Sequence, residues 1–140
     1  MKVLITKTQE SMAGDGYRLS YKATYGTTDC FIEGTVGITK EAFENGNVAK
    51  FKRAVAEILV EVLKDSTPIK LSSFGATADG YYKVNFTVTY PTNAVGTGAT
   101  SITGHIFILT SEFEELRMSE VRGVIAERIT ARLETDLAEE

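Results

Sequence analysis

The sequence has almost none of the residues from which disulfides, zinc sites and catalytic centres are usually built. Its 140 residues include one cysteine, Cys30, one histidine, His105, and no tryptophan. A single cysteine excludes an internal disulfide, and one histidine leaves no Cys/His set for structural zinc. We therefore expect no metal, no cofactor and no catalytic residue, and we interpret the protein as a non-enzyme.

Long apolar runs are also absent. No stretch approaches the 18 or so apolar residues that a membrane-spanning helix needs, and residues 1–6 do not form a charged and then apolar leader. We expect no membrane association. Together with the single cysteine, which suits a reducing compartment, this favours a cytoplasmic protein.

Neither sign of charge dominates strongly. The chain has 15 basic and 19 acidic side chains, which gives a formal net charge of -4. Proteins that bind duplex DNA usually carry a basic footprint, so this balance argues against such a partner. It leaves room for a local basic patch.

The sequence does contain an internal similarity between its two halves. Residues 17–25 read YRLSYKATY and residues 82–90 read YKVNFTVTY, 65 positions later. Further along, at an offset of 70, Gly34, Val36, Ile38 and Phe43 recur as Gly104, Ile106, Ile108 and Phe113. The five extra residues fall in the Gly-rich stretch 91–101, which predicts a loop. We interpret the chain as a single domain, residues 1–140, made of two repeats at about 1–66 and 67–140.

Each repeat has the pattern of three strands followed by a long helix. Period-two alternation predicts strands at 17–25, 30–38, 82–90 and 102–109, and shorter apolar runs predict strands at 2–7 and 69–72. Thr39 is a candidate helix cap, and Ser111 with Glu114 forms a candidate capping box. Two helical stripes follow, listed as Phe51, Val55, Ile58, Leu59, Val62 and Leu63, and as Met118, Val121, Val124, Ile125, Ile129, Leu133 and Leu137.

These patterns predict an α+β fold. Each strand pair has one apolar face and each helix one apolar stripe, so neither is stable unless the helices cover the sheet. The predicted architecture is a duplicated β-β-β-α repeat with an antiparallel sheet of about six strands and both long helices on one face.

The other sheet face is the candidate binding surface. Its predicted residues include three cations, two phenylalanines and the histidine, namely Arg18, Lys22, Phe31, Lys83, His105 and Phe107. Single-stranded nucleic acid binds such platforms because bases stack on aromatic rings while cations meet phosphates. The alternative is a face left to solvent or to a protein interface, since exposed strands often carry Lys, Arg and Thr.

Other candidate sites are weaker. His105 has no sequence partner that would orient it for acid–base chemistry, and Cys30 lies in the apolar phase of its strand, which indicates a buried thiol. The Gly-Thr-Gly in the 91–101 loop is followed by a strand, whereas a phosphate-binding loop is followed by a helix.

In topology alone, strand-rich repeats that end in a helix resemble the sheet-based single-strand binders of the Whirly and PUR type. Those repeats have four strands before the helix, whereas three are predicted here. The resemblance implies a possible nucleic-acid partner and no particular residue.

Two functions remain after these exclusions. The first is a non-enzymatic binding or assembly protein that works through sheet and helix surfaces as a homo-oligomer or with another protein. The alternative is single-stranded nucleic-acid binding on the exposed sheet face.

Overall fold

The computed structural model describes residues 1–10, 16–26, 29–90 and 99–139. These residues form an α+β fold, as predicted, with six strands and four helices. In chain order they are β1 Lys2–Glu10, β2 Gly16–Tyr25, β3 Cys30–Thr39, α1 Lys40–Glu44, α2 Val48–Val62, β4 Lys70–Ala76, β5 Tyr81–Tyr90, β6 Thr100–Leu109, α3 Thr110–Phe113 and α4 Met118–Glu139.

The six strands form one sheet in the order β1-β2-β3-β6-β5-β4. Every neighbouring pair is antiparallel. The predicted antiparallel sheet of six strands is therefore confirmed. Strands β3 and β6 pair in the centre, so β1 and β4 are the two edges.

Alternation along the strands separates a buried face from an accessible one. In β2, Leu19, Tyr21 and Ala23 are buried, while Arg18 and Lys22 are exposed. The buried strand residues and the buried stripes of α2 and α4 belong to one hydrophobic cluster. Burying a Val, Leu, Ile or Phe side chain contributes roughly 1.5–3 kcal/mol, so this cluster stabilises the sheet and helices together.

Helix α2 has the buried stripe that the sequence predicted, and its start is capped as the residue types require. The Asn47 Oδ1 atom accepts a hydrogen bond from the Lys50 N–H at 2.9 Å. The predicted cap at Thr39 is also present, because its Oγ1 atom accepts from the Ala42 N–H at 3.1 Å. Side-chain caps of this kind stabilise a helix by about 1 kcal/mol.

The entry segments before the long helices are short helices of their own, α1 and α3, so each half of the chain has two helices rather than one. The predicted capping box from Ser111 to Glu114 is wrong, since α3 begins at Thr110 and has no side-chain cap. The Glu120 carboxylate, in the first turn of α4, instead accepts from the Arg117 N–H at 3.0 Å. Met118, predicted on the buried stripe, is exposed.

Both edge strands are longer than predicted because each contains a β-bulge. In β1 the register shifts between Ile5 and Lys7, and in β4 it shifts between Leu71 and Ser73. A bulge adds one unpaired residue and reverses the in/out phase beyond it. The sequence pattern therefore indicated a turn where each strand in fact continues.

Two glycines let the central strands approach closely. Gly34 lies opposite Tyr21, and Gly104 lies opposite Phe86. A Cβ atom on Gly34 would overlap the Ser101 carbonyl oxygen, and one on Gly104 would overlap that of Phe31. The Tyr21 hydroxyl donates to that same Ser101 carbonyl at 3.0 Å, and burial raises the Tyr21 pKa.

The loop predicted at 91–101 falls mainly on residues 91–98, which lie outside the described residues, as do residues 11–15. In the described part of the chain no helix has the length and apolar character needed to cross a bilayer.

Candidate nucleic-acid interface

The outer face is defined here by the strand residues that point away from the hydrophobic cluster. All six predicted site residues lie on it, namely Arg18, Lys22, Phe31, Lys83, His105 and Phe107, and none is buried. Strand register decides which of them are neighbours. His105 pairs with Phe31 across the centre of the sheet, and Phe107 pairs with Lys83.

Aromatic side chains gather on one part of this face. The ring centroids of Phe31 and His105 are 5.5 Å apart, and the two ring planes are inclined by 25°. The centroids of His105 and Phe107 are 5.4 Å apart, and their ring planes are nearly perpendicular. Tyr81 adds a fourth ring, 6.2 Å from that of Phe107. We call Phe31, Tyr81, His105 and Phe107 the ring cluster. Tyr81 was not among the predicted site residues, because alternation predicted that this strand begins at Tyr82.

Polar side chains flank the ring cluster in the same cross-strand row. Thr24 is opposite Phe31, and Asn85 is opposite His105 on its other side. The Asn85 Nδ2 atom donates to the Ser73 Oγ atom at 3.0 Å, which holds the amide flat along the sheet. Partial burial, and then the nearby Lys83 charge, lower the His105 pKa. Both effects favour the neutral imidazole, which can stack as an aromatic ring.

The outer face is basic although the chain as a whole is acidic. The strand register assigns to it six cations and one carboxylate, listed as Lys2, Lys7, Arg18, Lys22, Lys70, Lys83 and Glu33. The chain has 15 basic and 19 acidic side chains, so elsewhere nine cations are outnumbered by 18 carboxylates. Lys2, Lys7 and Lys70 were not predicted, because the short apolar runs that indicated the edge strands do not alternate clearly enough to assign a face, and beyond the bulge at Lys7 the phase is also reversed.

On the outer face, Lys22 and Glu33 form only a weak ion pair. The Lys22 Nζ atom is 4.0 Å from a Glu33 carboxylate oxygen, and both side chains are about half exposed. Exposed pairs contribute at most about 1 kcal/mol. Lys22 therefore remains able to meet a phosphate. Arg18, by contrast, lies opposite Gly37, away from the ring cluster.

Helix α4 fixes the strand end that carries Phe107. The Phe107 N–H donates to the Asp29 carbonyl at 2.9 Å, and its own carbonyl accepts from Arg128 Nη1 at 2.9 Å. Arg132 holds the Asp29 carboxylate with two hydrogen bonds of 3.1 and 2.7 Å. The same guanidinium lies 4.3 Å above the Tyr25 ring. These contacts hold the backbone of Phe107, one member of the ring cluster.

The two residues considered for catalysis lie in different surroundings: His105 is among aromatic rings, and Cys30 belongs to the hydrophobic cluster. The closest ring contacts of His105 are Phe31 and Phe107, and Cys30 is buried, which raises the pKa of its thiol to about 12. Across the described residues, no group of three or more His, Cys, Asp or Glu side chains is arranged to hold a metal ion.

Comparison with known proteins gives no relative from which a function could be transferred: no protein-family model matches the chain, and no curated protein or solved structure matches it significantly.

Proposed function

We propose that this protein binds single-stranded nucleic acid on its outer face, as a binding protein and not as an enzyme. The observation that carries the proposal is the charge of that face, six cations against one carboxylate in a chain whose net charge is -4. Lysine on an edge strand also prevents edge pairing, but Arg18, Lys22 and Lys83 lie on β2 and β5, which are not edges, so that role does not explain them. The bias toward one sign favours an anionic partner.

The ring cluster favours a single strand over other polyanions. Single-strand binders combine a positively charged surface with aromatic side chains on which bases stack. The centre of the outer face has both features, because Phe31 lies one strand away from Lys22 and His105 lies one strand away from Lys83. Neighbouring strands are separated by only about 4.8 Å, so one short oligonucleotide can contact both sets.

The test is fluorescence anisotropy of a labelled oligonucleotide as a function of salt. Arg18 and Lys83 occupy corresponding places in the two repeats, and reversing both, as Arg18→Glu with Lys83→Glu, removes two phosphate contacts. The slope of log affinity against log salt should fall by about 1.4, because each phosphate contact to a single strand contributes roughly 0.7.

The matched control reverses two cations on helices, Lys50→Glu with Arg122→Glu, which changes the net charge by the same amount. Both side chains are exposed and lie on α2 and α4 rather than on the sheet. The control should bind nearly as well as the natural protein. An absence of binding at low salt, or equal losses for the two double variants, contradicts the proposal.

We also propose that an ancestral β-β-β-α unit was duplicated. In the resulting fold, both long helices cover the sheet face opposite the outer face. The strand order is symmetric about the β3 and β6 pair. The two bulges support duplication independently, since Ile5 and Lys7 flank one, and Leu71 and Ser73, each 66 positions later, flank the other. The single cluster that joins α2, α4 and the inner strand residues supports the placement of the helices.

A second function, homo-oligomer assembly, is favoured by the β4 edge. After Lys70 this strand has no charged residue, and the ring of Phe74 is 48% exposed. Natural sheets usually protect such edges with charge, because an open edge pairs readily with another strand. We propose that two copies pair through β4, which would extend the sheet across both.

Size-exclusion chromatography with light scattering tests this assembly. The variant Ser73→Lys with Phe74→Thr gives β4 the residues found at the corresponding places in β1, Lys7 and Thr8. The natural protein should be a dimer at tens of micromolar, which is about the range expected for a modest interface, and the variant a monomer. A natural protein that is strictly monomeric at that concentration overturns assembly and leaves the nucleic-acid proposal intact.

A further inference from the structure

We infer that the ring cluster is a stacking site for unpaired nucleobases, and that it lies on only one half of the outer face. This inference rests on the proposed function. It adds which part of the ligand is recognised and where. The physical basis is a comparison between positions that correspond in the two repeats.

The internal sequence similarity assigns a counterpart to each ring of the ring cluster. At an offset of 70 the counterparts of Phe31, His105 and Phe107 are Ser101, Thr35 and Gly37, and at an offset of 65 the counterpart of Tyr81 is Gly16. Four aromatic residues on one half of the outer face therefore correspond to two hydroxyl residues and two glycines on the other half. The Thr35 and Ser101 hydroxyls are 3.1 Å apart and hydrogen-bond to each other.

The two rows have the same strand register, and in the hydroxyl row the Ser101 Oγ atom also accepts from the Thr35 N–H at 3.1 Å. Thr35 pairs with Ser101 as His105 pairs with Phe31, directly across β3 and β6. The hydroxyl row shows that this position in the sheet does not need aromatic side chains. Four partly exposed rings where hydroxyls suffice indicate a ligand with flat, apolar faces.

Nucleobases have such faces, and the surroundings of the ring cluster suit the rest of a nucleotide. Along its row, Lys2 and Thr24 lie on one side, and Asn85 on the other. The cations can meet phosphates, while the Thr24 hydroxyl and the Asn85 amide can hydrogen-bond to base edges. A duplex hides its base faces within the stack, so the site would take unpaired bases only.

The experiment compares two oligonucleotides of equal length and charge, about 12 nucleotides long, which is within the range that one sheet platform covers. One is oligothymidine and the other is an abasic strand with the same sugar-phosphate backbone. Binding is measured by anisotropy at about 50 mM salt, where electrostatic contacts are still strong. The natural protein should bind oligothymidine at least about fivefold more tightly than the abasic strand, because each stacked base contributes measurably.

Variants locate the effect. Phe31→Leu and Phe107→Leu keep an apolar side chain and remove the ring, and each should weaken oligothymidine binding about fivefold while leaving the abasic strand unaffected. The control Ser101→Ala changes the counterpart of Phe31 and should alter neither affinity. Thermal unfolding of each variant verifies that it is folded at the temperature of the assay.

The possible results separate this inference from the proposed function. If both strands bind equally and the leucine variants have no effect, base stacking is refuted while electrostatic binding of nucleic acid stands. If duplex DNA binds as tightly as oligothymidine, the requirement for unpaired bases is also refuted. If neither single strand binds at low salt, the proposed function itself fails.

Discussion

The two halves of the outer face share a framework and differ in what they present. Arg18 and Lys83 are counterparts and both are cationic, whereas His105 and its counterpart Thr35 differ completely. Thr35 joins a small hydroxyl row, and His105 stacks with Phe31. Where corresponding positions carry like side chains, the proposed duplication and a general attraction for an anion explain them. Where corresponding positions carry unlike side chains, we expect contacts with a specific ligand.

The sheet edges differ in the same instructive way. Strand β1 has charged side chains along its length, at Lys2, Lys7 and Glu10, while β4 is charged only at Lys70. Both strands have a bulge at the corresponding place, which already disfavours edge pairing. The additional charges on β1 make it the better protected edge. If copies of the chain associate through a sheet edge, β4 is the one expected to do so.

The largest effect is expected where the two halves are most alike, at the central glycines. Gly34→Ala and Gly104→Ala should each lower the free energy of unfolding by about 3 kcal/mol, because the added Cβ atom overlaps a backbone carbonyl that cannot move freely. Urea denaturation measures both. Similar losses would support equivalent roles in the two repeats, and a loss at only one would argue against them.

The glycine substitution has a natural control in α4. Nothing lies within 4 Å of a Cβ atom built on Gly123, which is exposed in the helix interior. Gly123→Ala should therefore raise the free energy of unfolding by about 1 kcal/mol, since alanine favours helix more than glycine does. A loss there would indicate that the packing around α4 is tighter than described.

A smaller effect is expected at the last residues of β2 and β5, Tyr25 and Tyr90. The Tyr90 hydroxyl donates to the Asp65 carbonyl at 2.7 Å, whereas the Tyr25 ring lies beneath Arg132. Tyr90→Phe should cost about 1 kcal/mol, because it leaves that carbonyl without its partner. Tyr25→Phe keeps the ring under the guanidinium and should cost less than about 0.5 kcal/mol. Chemical denaturation of both variants tests this difference, and equal costs would contradict it.

The smallest effect concerns pH. The folded protein lowers the His105 pKa below its ordinary value of 6.5, first through burial and then through Lys83. The unfolded chain therefore takes up a proton on His105 more readily than the folded chain does. His105 does not reduce the free energy of unfolding above about pH 6.5, and it reduces that free energy as the pH falls from there through the folded pKa. His105→Thr, which installs the counterpart residue, should remove this part of the pH dependence. Urea midpoints at about pH 7.5 and 5 measure it, and an unchanged dependence would exclude His105 as its source.

Much of this fold could be predicted from residue order because its signals are local. Alternation in residues 17–25 and 82–90 predicted the cores of β2 and β5, and the spacing of Phe51, Val55 and Leu59 predicted the buried stripe of α2. The ends of β1 and β4 were missed, since a bulge interrupts alternation without ending the hydrogen-bonded strand. Local pattern records which way a side chain points only as long as the phase is unbroken.

The residues of the outer face could thus be predicted in part from the sequence. Which of their side chains are neighbours could not. Residue order indicated that Phe31, His105 and Phe107 share a face with Arg18 and Lys83. It contained nothing to say that Phe31 meets His105, that Tyr81 joins them, or that the lysines of both edges complete a basic surface. Those relations depend on the register between strands far apart in the chain, which is fixed by long-range packing, including the close approach of β3 and β6 at Gly34 and Gly104.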